Sequence, residues 1–119
     1  MSISRDAWMN IGIDIEEVER FNKYVKDKKY LERIFSKEEV FYCLPKKNAA
    51  QHLAVRFAAK EAVWKALSSK NKKLIVTDIS VQNTEDGKPQ VYIKNKKHKK
   101  IEVSLSHTDK YVVAVAIIF

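Results

Sequence analysis

The sequence predicts one α+β domain, with helices leading and antiparallel strands closing the chain. Three observations carry this. A run from about Ala49 to about Ser69 is rich in alanine and leucine and has no glycine or proline, as a long helix requires. Four segments after it, IVTDISV, PQVYI, IEVSLS and YVVAVAIIF, have the composition of strands. The length of 119 residues allows one sizeable core and not two, so residues 1–119 read as a single domain.

The elements follow in order. Ile11-Gly12-Ile13-Asp14-Ile15 alternates, with the isoleucines on one face and Gly12 and Asp14 on the other, which predicts a strand. EEVERFNKYV then carries an apolar stripe at helical spacing: Val18, Phe21, Tyr24 and Val25. Tyr30 to Phe35 predicts a short helix. Ser36 with Glu39 three residues on forms a capping box for KEEVFYCL, and Pro45 ends that helix. The stretch Glu85 to Pro89 is a turn between strands, and His107 to Lys110 joins the last two strands as a hairpin. The final strand is apolar on both faces, so a helix or another subunit is expected to cover it.

Lysine and arginine number 23 against 15 acids, a formal charge of +8. Such a balance favours polyanionic partners: nucleic acid, anionic lipid, a phosphorylated metabolite or an acidic protein. Cys43 is the only cysteine, so it forms no internal disulfide and alone builds no zinc site. That usage fits a reducing, cytoplasmic location. No apolar run reaches transmembrane length, and MSISRDAWMN lacks the apolar middle of a signal peptide.

One residue conflicts with its surroundings. On a helical wheel Ala50, Leu53, Ala54, Phe57, Ala58, Trp64 and Leu67 share a side, and Glu61 falls near its middle. A carboxylate buried alone costs several kcal/mol, so it needs a partner. Three readings stand: an intrahelical pair with Lys65, a shifted helix phase that exposes Glu61, or a metal or polar cleft in front of it. Asp14 bears on the choice. It can cap the following helix, or it can join Glu61 in holding a hard divalent ion, since Gly12 beside it leaves room for something to approach. Arg56 and Lys60, on a flank of the wheel, and Lys65 would then meet phosphate charge. His107 in SLSHT is either a structural hydrogen-bonder or a site residue.

In order, IGIDIEEVERF, RIFSKEE, RFAAKEAVWKAL, DGKPQV and SLSHTDKYVVAVAII resemble the holo-acyl-carrier-protein synthases, the small 4′-phosphopantetheinyl transferases. RFAAKEA with Lys65, paired with SLSHT, is the specific part. The resemblance covers most of residues 11–119 and leaves 1–10 as an N-terminal extension. It implies the 4′-phosphopantetheinyl transferase fold, a long helix on a mostly antiparallel sheet, in a homotrimer with active sites between subunits. It implies Mg²⁺-dependent transfer of 4′-phosphopantetheine from coenzyme A to a serine of apo-acyl carrier protein, releasing adenosine 3′,5′-bisphosphate, in fatty acid biosynthesis. By the same resemblance Asp14 and Glu61 match the metal ligands and Lys65 the catalytic lysine. Arg56, Lys65, Gly87, Lys88, Pro89, Ser106, His107 and Thr108 would line the coenzyme A site. Arg20, Lys23, Lys26, Lys28 and Lys29 would meet the acidic carrier. The serine proton would pass to a metal-bound water or to the Glu61 carboxylate.

The sequence departs from the family in two places. SSKNKK has no glycine where the family has a glycine-containing loop, so Lys70, Lys72 and Lys73 would supply phosphate-binding charge there. KNKKHKK is short where the family places a longer helix. Two rival functions remain open to the sequence. One is a nucleic-acid-binding module, permitted by the charge and the tyrosines but lacking a base-stacking strand motif. The other is a trimeric interaction protein without activity, against which Asp14, Glu61 and Lys65 stand together.

Overall fold

The computed structural model describes residues 9–68 and 71–119. The chain runs β1 (Asn10–Glu17), α1 (Lys28–Ile34), α2 (Lys37–Cys43), α3 (Ala49–Leu67), β2 (Ile79–Asn83), β3 (Pro89–Ile93), β4 (Lys96–His98), β5 (Ile101–His107) and β6 (Tyr111–Ile118). Two antiparallel three-stranded sheets result, ordered β1-β6-β5 and β2-β3-β4. This is the α+β class that the pattern predicts. The expected end of the long helix, Ser69, and the loop residue Lys70 lie outside the described residues.

Helix α3 is packed against β1 and β6. Alternation along β6 turns Val112, Ala114, Ala116 and Ile118 toward it, all buried. On the helix the buried apolar residues include Ala54, Ala58, Ala59, Ala62, Val63 and Ala66. Small side chains let helix and sheet approach closely. Gly12 marks the tightest point: a Cβ built there would lie 1.9 Å from the Ala62 carbonyl oxygen. The space beside Asp14 is therefore taken by helix backbone, not left for a ligand. Gly12→Ala forces the strand off the helix and is expected to cost about 1–3 kcal/mol, read as a lower denaturant midpoint at unchanged slope.

The burial of α3 corrects the wheel. Arg56 and Lys60, placed on a flank by the sequence, are 4% and 0% exposed. The helix is covered on more than one side, by the sheet, by α2 and by the turn after β1, so no single apolar face describes it. Trp64 is half-buried and donates its indole N–H to the Leu74 carbonyl at 2.7 Å, which pins the chain after the helix.

Three local expectations also change. EEVERFNKYV is not an α-helix. Strand pairing continues through Glu17, and Val18–Phe21 is a 3₁₀ turn followed by turns closed by i→i−3 bonds at Asn22, Tyr24 and Asp27. Glu17 provides no side-chain cap that would start a helix there. Asp14, inside β1, caps nothing. The stripe of Val18, Phe21, Tyr24 and Val25 still packs on the core. IVTDISV begins with a 3₁₀ turn, Val76–Asp78, because Asp78 accepts a bond from the Ile75 N–H and delays the strand to Ile79. KNKKHKK holds strand β4, made possible by Lys94 and Asn95 at φ 49° and 69°, a two-residue hairpin turn.

The capping box at Ser36 and Glu39 forms as expected, at 3.2 and 2.8 Å. Gly87 takes φ 83° in the expected turn, and Thr108 closes the last hairpin by accepting from the N–H groups of Lys110 and Tyr111. Cys43 is fully buried, and burial pushes its thiol up to about 12.

The far face of the β1-β6-β5 sheet is open. Ile11, Ile13 and Ile15 are 63%, 59% and 62% exposed beside half-buried Val113, Val115 and Ile117. Helix α3 thus meets half of the demand made by the two-sided apolar strand. Covering each isoleucine would be worth about 1–2 kcal/mol.

Candidate active site

Asp14 and Glu16 are two residues apart on β1, so both point to the face that carries α3. Glu61 reaches the same place from the helix. Asp14 raises both of the other carboxyls. The Glu61 carboxyl is held above the usual range, first by burial and then by Asp14, with Lys65 and Arg20 opposing. Glu16 is pushed up to about 8 by burial, by contact with the Asp14 carboxylate and by its charge, against the pull of Arg20. Asp14 and Glu61 therefore share one neighbourhood, as a common ion requires.

Lys65 does not form the intrahelical pair with Glu61. Its ammonium donates to Asp14 Oδ1 at 3.1 Å and to the Ile13 carbonyl at 3.0 Å, and it stays 46% exposed. Among the described residues Asp14 Oδ2 is buried with no hydrogen-bond partner. An acceptor left bare beside two further carboxylates is the arrangement a hard cation satisfies. Among the described residues no three acidic, imidazole or thiol groups form a ready metal cage. A magnesium-type site needs none, because waters and substrate oxygens complete the shell.

Lys60 is not at the site. Its ammonium is buried and bonded to Glu39 Oε1 at 2.8 Å and to the Ile34 carbonyl at 2.6 Å.

A cleft of about 230 Å³ lies over the first half of α3. Arg56, Gly87, Pro89 and His107 line it together with Tyr42, Gln51, His52 and Asn83. The Arg56 guanidinium lies 4.9 Å from the Tyr42 ring centroid, and His52 meets the same ring edge-on. Burial, then the charges of Lys46 and Arg56, hold His52 below the usual imidazole range, so it is neutral. Gln51 Nε2 stands 2.8 Å from His107 Nδ1. The cleft and the carboxylates adjoin. Glu16 and His107 sit in one row across the sheet, each opposite Val112, about 10 Å apart at the backbone.

Three residues expected at the coenzyme A site stand apart. Strand alternation points Ser106 to the sheet face opposite His107. The Thr108 hydroxyl is engaged in the hairpin. Lys88 extends to Glu102 at 3.3 Å on the surface.

Of the basic residues expected to meet a carrier, Arg20 is the most constrained. It donates to Glu16 at 2.6 Å and lies over the Phe21 and Phe57 rings at 5.4 and 5.3 Å. Lys23 lies over Tyr24 at 5.1 Å, and Lys26, Lys28 and Lys29 are exposed. Lys28 also borders a groove of about 580 Å³ between α1 and α2, where Phe41 is 83% exposed. Phe21, Phe35 and Phe57 pack on one another and are not free to stack on bases.

The sequence reading missed Glu16, Tyr42, Gln51, His52 and Asn83. Extending the alternation of IGIDI by one residue points to Glu16. The cleft residues come from four separate segments and carry no local signal.

The family model described as the 4′-phosphopantetheinyl transferase superfamily matches residues 10–116, and the chain belongs to that family. Within it the chain is an enzyme of the holo-[acyl-carrier-protein] synthase kind. It is 44% identical over 119 aligned residues to the holo-[acyl-carrier-protein] synthase of Treponema denticola, covering 92% of this chain and 97% of that one. It is 43% identical to that of Thermodesulfovibrio yellowstonii, covering 91% and 96%. Among solved structures it resembles a holo-(acyl-carrier-protein) synthase from Bacillus anthracis in complex with CoA (3′,5′-ADP), with TM-score 0.75, 32% identity and coverage of 92% and 94%. The Helicobacter pylori enzyme in complex with coenzyme A gives TM-score 0.75, 30% identity and coverage of 92% and 99%.

Proposed function

We propose that the protein transfers 4′-phosphopantetheine from coenzyme A to a serine of apo-acyl carrier protein, dependent on Mg²⁺, as a step of fatty acid biosynthesis in the cytoplasm. The observation that carries this is the Asp14 carboxylate, grouped with Glu16, Glu61 and Lys65 and with one buried oxygen unpartnered among the described residues, beside a cleft lined by Arg56 and His107. The coenzyme A named in two of the similar structures supports the substrate.

Asp14 and Glu61 would hold Mg²⁺, with the Glu16 carboxyl beside them. When bound, the ion polarises the diphosphate and offsets its charge. The serine oxygen bonds to the β-phosphorus, and the bond to adenosine 3′,5′-bisphosphate breaks with its electron pair on the leaving oxygen. The serine proton passes to the Glu61 carboxylate or to a water at the site. Lys65, half-exposed and anchored through Asp14, neutralises charge on the bridging or leaving oxygen. Arg56 meets phosphate from the cleft. Positioning and neutralisation do most of the work in such a transfer.

The isoleucine face of β1 supports a homotrimer. Three open isoleucines on one sheet face are covered most simply by copies of the same surface.

Mass spectrometry tests the proposal. Apo-carrier, coenzyme A and Mg²⁺ incubated with the protein should yield carrier heavier by one phosphopantetheine arm. Carrier of unchanged mass sinks the reading. For the docking surface, Arg20→Glu is expected to weaken carrier binding about tenfold or more while coenzyme A affinity changes less, measured by calorimetry with each ligand. Equal losses for both ligands would move Arg20 out of the carrier surface.

A further inference from the structure

We infer that Gln51 is a positioning residue that fixes His107 as its Nε2–H tautomer, so that His107 meets coenzyme A as a neutral hydrogen-bond donor and not as a base. Gln51 is held from three sides. Its Nε2 lies 2.8 Å from His107 Nδ1 and 3.5 Å from the Thr108 carbonyl oxygen. Its Oε1 lies 2.6 Å from Asn48 Nδ2. A backbone carbonyl only accepts, so the amide end beside Thr108 must be the NH₂ group. The reverse orientation sets the Gln51 and Thr108 carbonyl oxygens against each other.

That NH₂ group has no lone pair to offer, so His107 Nδ1 must supply one. A neutral imidazole with a bare Nδ1 carries its proton on Nε2. An imidazolium would aim Nδ1–H at the amide N–H. Among the described residues Nε2 has no protein partner, and the ring lines the cleft that also holds Arg56 and neutral His52. The N–H left free can donate to a phosphate or carbonyl oxygen of a ligand there. The lone pair needed to take a proton from the serine is already engaged by Gln51.

The tautomer stands on the hydrogen bonds alone. Only the identity of the acceptor, an oxygen of coenzyme A, rests on the function proposed above. Long-range ¹H–¹⁵N spectra of the full chain, labelled at histidine and recorded without ligand, read the tautomer directly, with His107 assigned through its loss in His107→Phe. The expected result, in the neutral-imidazole range, is an unprotonated Nδ1 and a protonated Nε2. A protonated Nδ1 overturns the inference. In Gln51→Leu the two tautomers should mix, and in Gln51→Glu, whose carboxylate only accepts, the proton should move to Nδ1. Both variants keeping the wild-type tautomer would assign its control elsewhere and end the positioning role. In His107→Phe, which removes the donor, coenzyme A affinity by calorimetry should fall about fivefold, the worth of one hydrogen bond. Unchanged affinity in that variant removes coenzyme A as the acceptor. Wild-type protein that shows the tautomer but binds no coenzyme A overturns the proposed function and leaves the Gln51 lock in place.

Discussion

Glu61→Gln is expected to lower Mg²⁺-dependent transfer by roughly 100- to 1000-fold while leaving the fold intact. The amide keeps the shape of the side chain and removes the charge that a divalent ion needs. The fold should not suffer. The Glu61 carboxyl is held above its ordinary value of 4.5 by burial and by Asp14. A carboxyl raised in this way binds its proton more tightly when folded. Its stabilising share is complete below the unfolded pKa and is lost as pH rises through the folded one. Above the folded pKa the ionised group therefore opposes folding, and the amide removes that opposition. Glu16 behaves alike over a window from 4.5 to about 8. Metal-free Glu61→Gln should accordingly melt at or above the wild-type temperature. Added Mg²⁺ should raise the wild-type melting temperature and move the variant little. Wild-type turnover in Glu61→Gln would remove the metal assignment, and a large fall in its melting temperature would make Glu61 a structural residue.

Much of this site was legible because its departures from pattern are local. A carboxylate among alanines marks Glu61, and an acid in an alternating apolar strand marks Asp14. The strand was legible too, but not its orientation. Hydrophobicity alone would turn Ile11, Ile13 and Ile15 inward. The structure turns Gly12, Asp14 and Glu16 inward instead, because only a residue without Cβ admits the Ala62 backbone. Lys60 was misplaced because its partner is 21 residues away on α2, beyond the reach of any wheel. Strand β4 was missed because its turn uses Lys94 and Asn95 at positive φ, with no glycine to announce it. The cleft was half legible. The family motif points to Arg56 and His107, whereas Gln51, His52 and Tyr42 join them only through the packing of α2 and β5 on α3.

The largest loss of stability is expected at the buried pair. Glu39 and Lys60 side chains are both fully buried, 2.8 Å apart. Glu39 Oε1 also accepts from the Ser36 N–H at 2.8 Å, and Oε2 from the Val81 N–H at 2.8 Å. One carboxylate thus ties α2, α3 and β2 together. Glu39→Ala strands the Lys60 ammonium with only the Ile34 carbonyl and the Phe35 ring face beside it, and leaves the Val81 N–H without its acceptor. The expected cost is about 3–5 kcal/mol, well beyond the roughly 1 kcal/mol of a lost helix cap. Urea unfolding at fixed slope measures it. Replacing both partners by apolar residues, Glu39→Leu with Lys60→Met, should recover the part of the loss due to the stranded charge, while the Val81 N–H stays without its acceptor. The cause can be separated from lost packing by pH. Burial holds the Lys60 pKa below its ordinary 10.5, and Glu39 is what raises it back. Without Glu39 the folded protein binds that proton more weakly than the unfolded chain does, so stability of the single variant should climb as pH rises toward 10.5. A deficit that stays constant across that range would assign the cost to the cavity left by the side chain and not to the stranded ammonium.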